Sequence, residues 1–237
     1  MKKSKKIIIG VLATGLVAAV SIGGTLAFLT DSEKQTNTFT VGDLDISLSE
    51  PNWNDTTDGK DMTPGNTFVK DPTVAEVVND SYMRVVMTVK DSDGNKITDT
   101  NRLDKILAMV RYDSTYNKDE TPVTDNLKED SKYSLNDLEA YSNINPSFTL
   151  NTTKSTLGEY YYEYNSVFTE GDEAVLFTNV VVPTDYNQTD LELIGQFKIE
   201  VYAQAIQADN FTNSADAFAA LDAEIANGTI QENYGTT

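Results

Sequence analysis

Residues 195–207, which read GQFKIEVYAQAIQ, place an apolar side chain at every second position. Phe197, Ile199, Val201, Ala203 and Ala205 share one parity. Successive side chains of a β-strand point to opposite faces, so this pattern predicts a long strand whose apolar face is buried. Other strand-like segments occupy residues 37–49, 82–89, 159–164 and 174–183.

About seven such segments, separated by turn residues, predict an antiparallel arrangement. The expected fold class is mainly β, an antiparallel jelly-roll-like β-sandwich with a few short helices. One helix is expected near the C-terminus, over residues 214–227, with Phe218, Leu221 and Ile225 on one face. Either Asn213 or Ser214 would cap its start. Residues 103–110 are ambiguous, because their apolar residues have helical spacing.

The N-terminus has the three parts of an export signal. Four lysines lie within the first six residues, residues 7–20 are apolar, and Thr25-Leu26-Ala27 supplies small residues at a cleavage site. We therefore expect residues 1–27 to be a signal peptide cut between Ala27 and Phe28. The alternative is a retained membrane anchor, since residues 7–29 carry no charge and are long enough to span a bilayer. Either way the rest of the chain lies outside the cytoplasm.

The chain is strongly acidic. It has 18 Lys and Arg against 37 Asp and Glu, a formal net charge of −19. From Phe28 onward 14 basic residues face the same 37 acidic ones, which gives −23. Such a chain has no basic surface to neutralise phosphates, so nucleic acid is excluded as a partner. Contact with a membrane is expected only through the signal segment before cleavage.

The chain has no histidine and no cysteine. This removes triad catalysis based on histidine, thiolate nucleophiles, disulfides and the usual zinc ligands. We predict neither a catalytic residue nor a cofactor. Calcium remains a weak candidate at an oxygen-rich turn, with Asp91, Asp93, Asn95 and Asp99 as ligands. The preferred interpretation of that turn is a solvated hairpin, because Asp and Gly favour turns.

Two N-terminal motifs resemble the TasA/camelysin family. Residues 23–31 read GGTLAFLTD and residues 37–46 read NTFTVGDLDI, close to the start that this family shares. Leu26 stands where an aromatic residue is common. Weaker matches are Pro64-Gly65, residues 82–85 and residues 205–211, whereas residues 95–155 carry little that can be matched.

This resemblance implies an exported protein that a SipW-type signal peptidase cleaves. It also implies a jelly-roll-like sandwich and, for some members, extracellular fibres of the biofilm matrix of Gram-positive bacteria. In such fibres the N-terminal segment of one subunit lies as a strand in its neighbour. Camelysin-type members are described as surface metalloproteases. The helical His-Glu-x-x-His zinc motif is impossible here, because the chain has no histidine.

We therefore expect three parts: the signal peptide, an N-terminal arm over residues 28–38 that is the candidate donor strand, and a β-sandwich domain over residues 39–237. The assembly segment would include Phe28, Leu29 and Phe39, and the partner would be another copy, in a head-to-tail homopolymer at the cell surface or in the matrix. Two alternatives stay open. The arm is an untethered tail or folds back on its own sheet edge, or the protein is a monomeric or membrane-anchored surface protein that binds a host or matrix ligand.

Overall fold

The computed structural model describes residues 30–34, 46–53, 59, 61–117 and 144–228, with the side chains of residues 30–34 and 210 excepted. Within these residues the chain forms eleven strands, three α-helices and one short 3-10 helix, so the prediction of a mainly β fold is confirmed. The strands are β1 (Thr30–Lys34), β2 (Ser47–Ser49), β3 (Thr67–Val69), β4 (Thr73–Ala75), β5 (Ser81–Asp91), β6 (Val110–Arg111), β7 (Phe148–Leu150), β8 (Glu159–Tyr164), β9 (Ala174–Val175), β10 (Asn179–Val181) and β11 (Phe197–Gln207). The helices are α1 (Thr100–Leu107), α2 (Gln188–Ile194) and α3 (Ser214–Ala226), with the 3-10 turn at Ala208–Asn210.

The described strands form three sheets in which every pairing is antiparallel. The largest sheet has the order β1-β11-β5-β8-β7. Two three-stranded sheets have the orders β3-β10-β6 and β2-β4-β9. The expected antiparallel arrangement is confirmed, whereas the jelly-roll order of strands stays a prediction.

The two longest strands, β5 and β11, pair along their whole length at the centre of the large sheet. Their register runs from Phe197 opposite Asp91 to Gln207 opposite Ser81. Val85 and Ala203 face each other on the inner side, and both are fully buried. The alternation in residues 195–207 therefore predicted the strand and its inner face correctly.

The main core lies between the inner face of the large sheet and the two small sheets. Val85 of β5, Val74 of β4 and Val180 of β10 belong to one continuous cluster of buried apolar side chains. Leu103 of α1 joins the same cluster, which settles the ambiguity of residues 103–110 in favour of a helix followed by β6. Burial of this apolar surface is the main favourable contribution to folding.

The outer face of the large sheet is covered in part by α3. Phe218 and Leu221 pack against Ile206 of β11 in a second, smaller apolar cluster. The amphipathic pattern of residues 214–227 predicted this helix, and the Asn213 side chain caps it by accepting a hydrogen bond from the backbone N–H of Asp216. Because α3 covers the second face, the six residues 201–206 of β11 are all buried.

Other elements differ from their sequence patterns or were not foreseen. Residues 174–183 form two short strands, β9 and β10, instead of one. The helix α2 was not predicted from its sequence, although Asn187 and Asp190 form a reciprocal capping box at its start.

In the part of the chain that the structure describes, no helix has the length and apolar character needed to cross a bilayer. The candidate anchor, residues 7–29, lies outside that part.

Candidate assembly site

The N-terminal segment forms the outermost strand of the large sheet. In β1, Thr30 stands opposite Ile206 and Lys34 opposite Tyr202, in continuous antiparallel register with β11 of the same chain. This is the fold-back arrangement, one of the two alternatives for the arm. The residues of the predicted cleavage point and assembly segment lie outside the described residues; they are Ala27, Phe28, Leu29 and Phe39. Their roles therefore remain predictions.

The strand β1 is held on one side only. Its inner neighbour is β11, and no other described strand pairs with its outer side. An edge strand of this kind is held by backbone hydrogen bonds and can be replaced by any strand that offers the same bonds. The β11 edge is therefore the candidate assembly site, and β1 is its occupant in the single chain.

A row of polar residues crosses the large sheet at the level of Gln204. The register places Ser32 of β1 opposite Gln204, Gln204 opposite Arg84, Arg84 opposite Glu163, and Glu163 opposite Thr149. Each strand of the five thus contributes one polar residue at this level. Arg84 and Gln204 are the buried members of the row, and buried polar residues favour one register, because a shifted strand leaves them unpaired.

Arg84 is the centre of this row and is fully buried. Its Nε donates to Oε1 of Gln204 at 2.6 Å, and its Nη2 donates to Oδ1 of Asp222 on α3 at 2.5 Å. The guanidinium carbon lies 5.2 Å from the ring centre of Tyr161 and 5.1 Å from that of Phe218. The side chain therefore joins β5, β11 and α3 through charge-assisted bonds and aromatic contacts.

Asp222 also forms an ion pair with Lys154, which lies in the loop between β7 and β8. Nζ of Lys154 lies 2.8 Å from the same Oδ1 atom and 4.6 Å from the ring centre of Tyr161. Burial acts to raise the pKa of Asp222, but the hydrogen bonds from Arg84 and Lys154 outweigh it and hold that pKa below its ordinary value. The carboxylate is therefore charged at neutral pH and fastens α3 to the sheet.

Two buried donor atoms of this row lack an acceptor. Nη1 of Arg84 and Nε2 of Gln204 have no hydrogen-bond partner in the described structure. Both side chains are fully buried. Because a buried donor without a partner is destabilising, each of these two atoms marks a place where an acceptor would be favourable.

A second polar cluster fixes the segment before β3. Asp71 is fully buried and accepts hydrogen bonds from Nδ2 of Asn52 at 2.9 Å and from the hydroxyl of Tyr116. Burial, followed by the hydrogen bond to Asp71, raises the pKa of Tyr116 well above its ordinary value, so the hydroxyl stays protonated and donates. Beside it, Nζ of Lys70 lies 2.5 Å from Oε1 of Glu50. These bonds connect residues 50–52 to the β3–β4 segment, which is a structural role.

The weak calcium candidates take structural roles at two turns. Oδ1 of Asp91 accepts from the backbone N–H groups of Asp93 and Asn95, and hydrogen bonding to Asn95 lowers the pKa of Asp91. Oδ1 of Asp99 accepts from the backbone N–H of Arg102 and caps α1. Over the described ranges, no three Asp or Glu residues come together in a group that could hold a metal ion. The hairpin interpretation accounts for these contacts, with Gly94 at a φ of +84°.

The fold and the candidate site define an antiparallel β protein in which residues 30–34 form an edge strand of the largest described sheet. The chain belongs to the camelysin metallo-endopeptidase family, whose model matches residues 2–157. The resemblance to the TasA/camelysin family is thereby confirmed. A search of curated proteins found no match, and neither did a search of solved structures.

The row of polar residues through Arg84 and Gln204 was not predicted from the sequence. Arg84 and Gln204 interrupt the two most apolar strands, in YMRVVMTV and VYAQAIQ. A polar residue in the middle of such a strand is a signal, because it must face either water or a partner. The partner, Asp222, lies on a helix far along the sequence, and no sequence spacing connects the three.

Proposed function

We propose that the protein is an exported structural subunit, which assembles outside the cell when the β1 strand of one copy takes the β11 edge of the next. The family supports the general class, a secreted structural or surface protein. The observation that carries the proposal is the place of β1. It is the edge strand of the large sheet, and it begins three residues after Ala27 of the predicted cleavage site.

Exchange of this strand needs no new chemistry. The β11 edge offers the same backbone hydrogen bonds to β1 of its own chain and to β1 of another copy. Each copy both gives a strand and accepts one, so the contact is head-to-tail and does not close on itself. Repetition of such a contact produces a filament, which fits a matrix fibre or a surface layer.

Cleavage links export to assembly in this proposal. A SipW-type signal peptidase is the expected processing enzyme, and the cut between Ala27 and Phe28 would free the segment that precedes β1. The expected location is the extracellular matrix or the cell surface. We assign no catalytic role to the chain, since it has no histidine for the zinc motif of helical metallopeptidases.

Electron microscopy of two purified forms tests the proposal, one beginning at Phe28 and one at Phe39. Filaments are expected from the first form and none from the second, which lacks β1. The matched control begins at Phe28 and carries Glu33→Pro, which removes one backbone donor from β1 and keeps the length of the arm. Circular dichroism verifies that all three forms are folded. Uniform single particles from every form, across pH and salt, would instead support the monomeric surface protein.

A further inference from the structure

The second strand of the chain, β2, is held to the domain by the main core. It pairs with β4, and Leu48 of β2 belongs with the preceding Ile46 to the main apolar cluster. Both side chains are buried. Release of β2 would therefore expose apolar surface as well as break backbone pairing, so its opening costs more free energy than that of an edge strand held by backbone bonds alone.

Polar contacts directly after β2 hold the same segment. Nζ of Lys70 lies 2.5 Å from Oε1 of Glu50 and 4.6 Å from the ring centre of Trp53. The side chains of the ion pair are each only 9% exposed. Nδ2 of Asn52 donates to Asp71, which is fully buried. If this segment left, the ammonium and the carboxylate would stay behind without these partners, which is costly for buried charges.

We propose that the exchangeable part of the chain ends before Ile46, and that residues 46–53 are a permanent anchor which ties the donated strand to its own domain. This inference rests on the proposed function and specifies which part of the chain moves. β1 leaves β11 of its own chain, whereas β2 and its contacts with Lys70 and Asp71 stay in place.

The anchor limits the distance over which a strand can be donated. Twelve residue steps separate Lys34, the last residue of β1, from Ile46. A fully extended chain spans at most about 3.3–3.6 Å per residue, so these two residues lie within roughly 40 Å of each other wherever β1 binds. The acceptor must therefore be an adjacent copy whose β11 edge lies within this distance of the donor's anchor.

Amide hydrogen exchange of dilute monomer beginning at Phe28 tests the boundary without filaments. Mass spectrometry with fragmentation resolves the short segments. We expect exchange in residues 47–49 to be at least about 100-fold slower than in residues 31–34, because β2 opens only when its core and ion-pair contacts break. Equal exchange rates in the two segments would overturn the anchor.

Lys70→Met tests whether the polar contacts hold the anchor. It removes the cation that pairs with Glu50, and it should accelerate exchange in residues 47–49 by about tenfold while residues 31–34 keep their rate. Lys90→Met is the matched control, since its lysine pairs with Glu200 outside the anchor, and it should change neither rate. An unchanged rate in Lys70→Met would contradict a role of this ion pair in the anchor.

Two engineered disulfides test the anchor during assembly, since the chain has no cysteine of its own. Opposite residues on antiparallel strands have the Cα separation that a disulfide requires. Ser47→Cys with Ala75→Cys locks β2 to β4, and Glu33→Cys with Ala203→Cys locks β1 to β11. Each disulfide is formed in dilute protein before concentration for electron microscopy. We expect filaments from the first variant, and none from the second until its disulfide is reduced.

Filaments that the β2–β4 disulfide prevents and reduction restores would overturn the anchor, because β2 would then belong to the exchanged segment. The proposed function fails in a different way. Filaments that grow with β1 locked to β11, or an absence of filaments from every reduced form, contradict strand exchange. In either case the hydrogen-exchange rates of the monomer still decide where the anchored part of the chain begins.

Discussion

Arg84 of β5 and Asp222 of α3 are joined by a bond of 2.5 Å between Nη2 and Oδ1, with the arginine fully buried and the aspartate partly exposed. The helix therefore lies on the sheet through an ion pair as well as through Phe218 and Leu221. Loss of either partner leaves a charge without its counterpart, which is costly where the charge is buried. This asymmetry makes Asp222 the informative residue to change.

Asp222→Asn should lower the free energy of unfolding by about 2 kcal/mol, because it weakens the charge-assisted bond to buried Arg84. Urea denaturation followed by circular dichroism measures the change. Glu224→Gln is the matched control, since it removes the same charge from α3 at a residue for which the described structure shows no ion pair. Equal losses in the two variants would mean that helix charge, and not the Arg84 bond, accounts for the effect.

The pH dependence of stability should follow from the lowered pKa of Asp222. A carboxyl group whose pKa is lower in the folded state stabilises the fold above its unfolded pKa and loses that contribution as the pH falls through the folded one. Stability should therefore decline below about pH 4, near the ordinary pKa of aspartate. Urea midpoints from pH 7 to pH 3 should fall more steeply for the starting protein than for Asp222→Asn. Parallel curves would show that other carboxylates dominate.

Gly158→Ala should destabilise the fold by more than about 3 kcal/mol, because it combines backbone strain with a steric clash. The residue has a φ of +79°, and an added Cβ would clash with the carbonyl oxygen of Ile97. Gly171→Ala is the control, with a φ of +87° and no atom within 4 Å of the added Cβ. That variant should lose only about 1–2 kcal/mol. The prediction is wrong if chemical denaturation gives both variants the same stability.

Assembly should increase with salt and with mild acid. Copies that begin at Phe28 carry 14 basic and 37 acidic residues, a formal net charge of −23, so they repel one another at neutral pH. Salt screens this repulsion, and protonation of carboxylates lowers it. Light scattering across ionic strength and pH measures the effect, with electron microscopy to identify filaments. Equal filament formation in low salt at high pH would contradict this argument.

Calcium should have little effect on the melting temperature. Both Asp91 and Asp99 already accept hydrogen bonds from backbone N–H groups at their turns. We expect a shift of less than about 1 °C between millimolar calcium and chelator at constant ionic strength, since a ligand stabilises only by binding the folded state. A rise of several degrees with calcium would instead indicate a site that supports the fold, and Asp93→Asn would then be the first variant to measure.

The sequence predicted most reliably those helices and strands whose own residue pattern determines their secondary structure. The alternation in β11 and the apolar face of α3 were both readable, because strand and helix periods differ clearly over eleven or more residues. The helix α2 was not, because it has only seven residues and its start depends on a capping box between Asn187 and Asp190. Short elements depend on contacts that periodicity does not report.

The candidate site was predictable only in part. The motifs around Ala27 and Phe39 predicted an assembly role for the N-terminal segment. In the structure, the β1 part of that segment pairs with β11. The row through Arg84 and Gln204 could not be derived from the sequence, because its members come from five strands and a helix that only the fold brings together.

The pairing of β1 with β11 of its own chain sets a threshold for any exchange. A strand tethered by a short linker faces its edge at an effective concentration of about millimolar. A free copy competes with that internal strand only where its local concentration approaches the same value. Dilute protein would therefore remain closed and self-capped, and growth would be confined to places where secretion outpaces diffusion, such as the immediate surroundings of the cell that exports it.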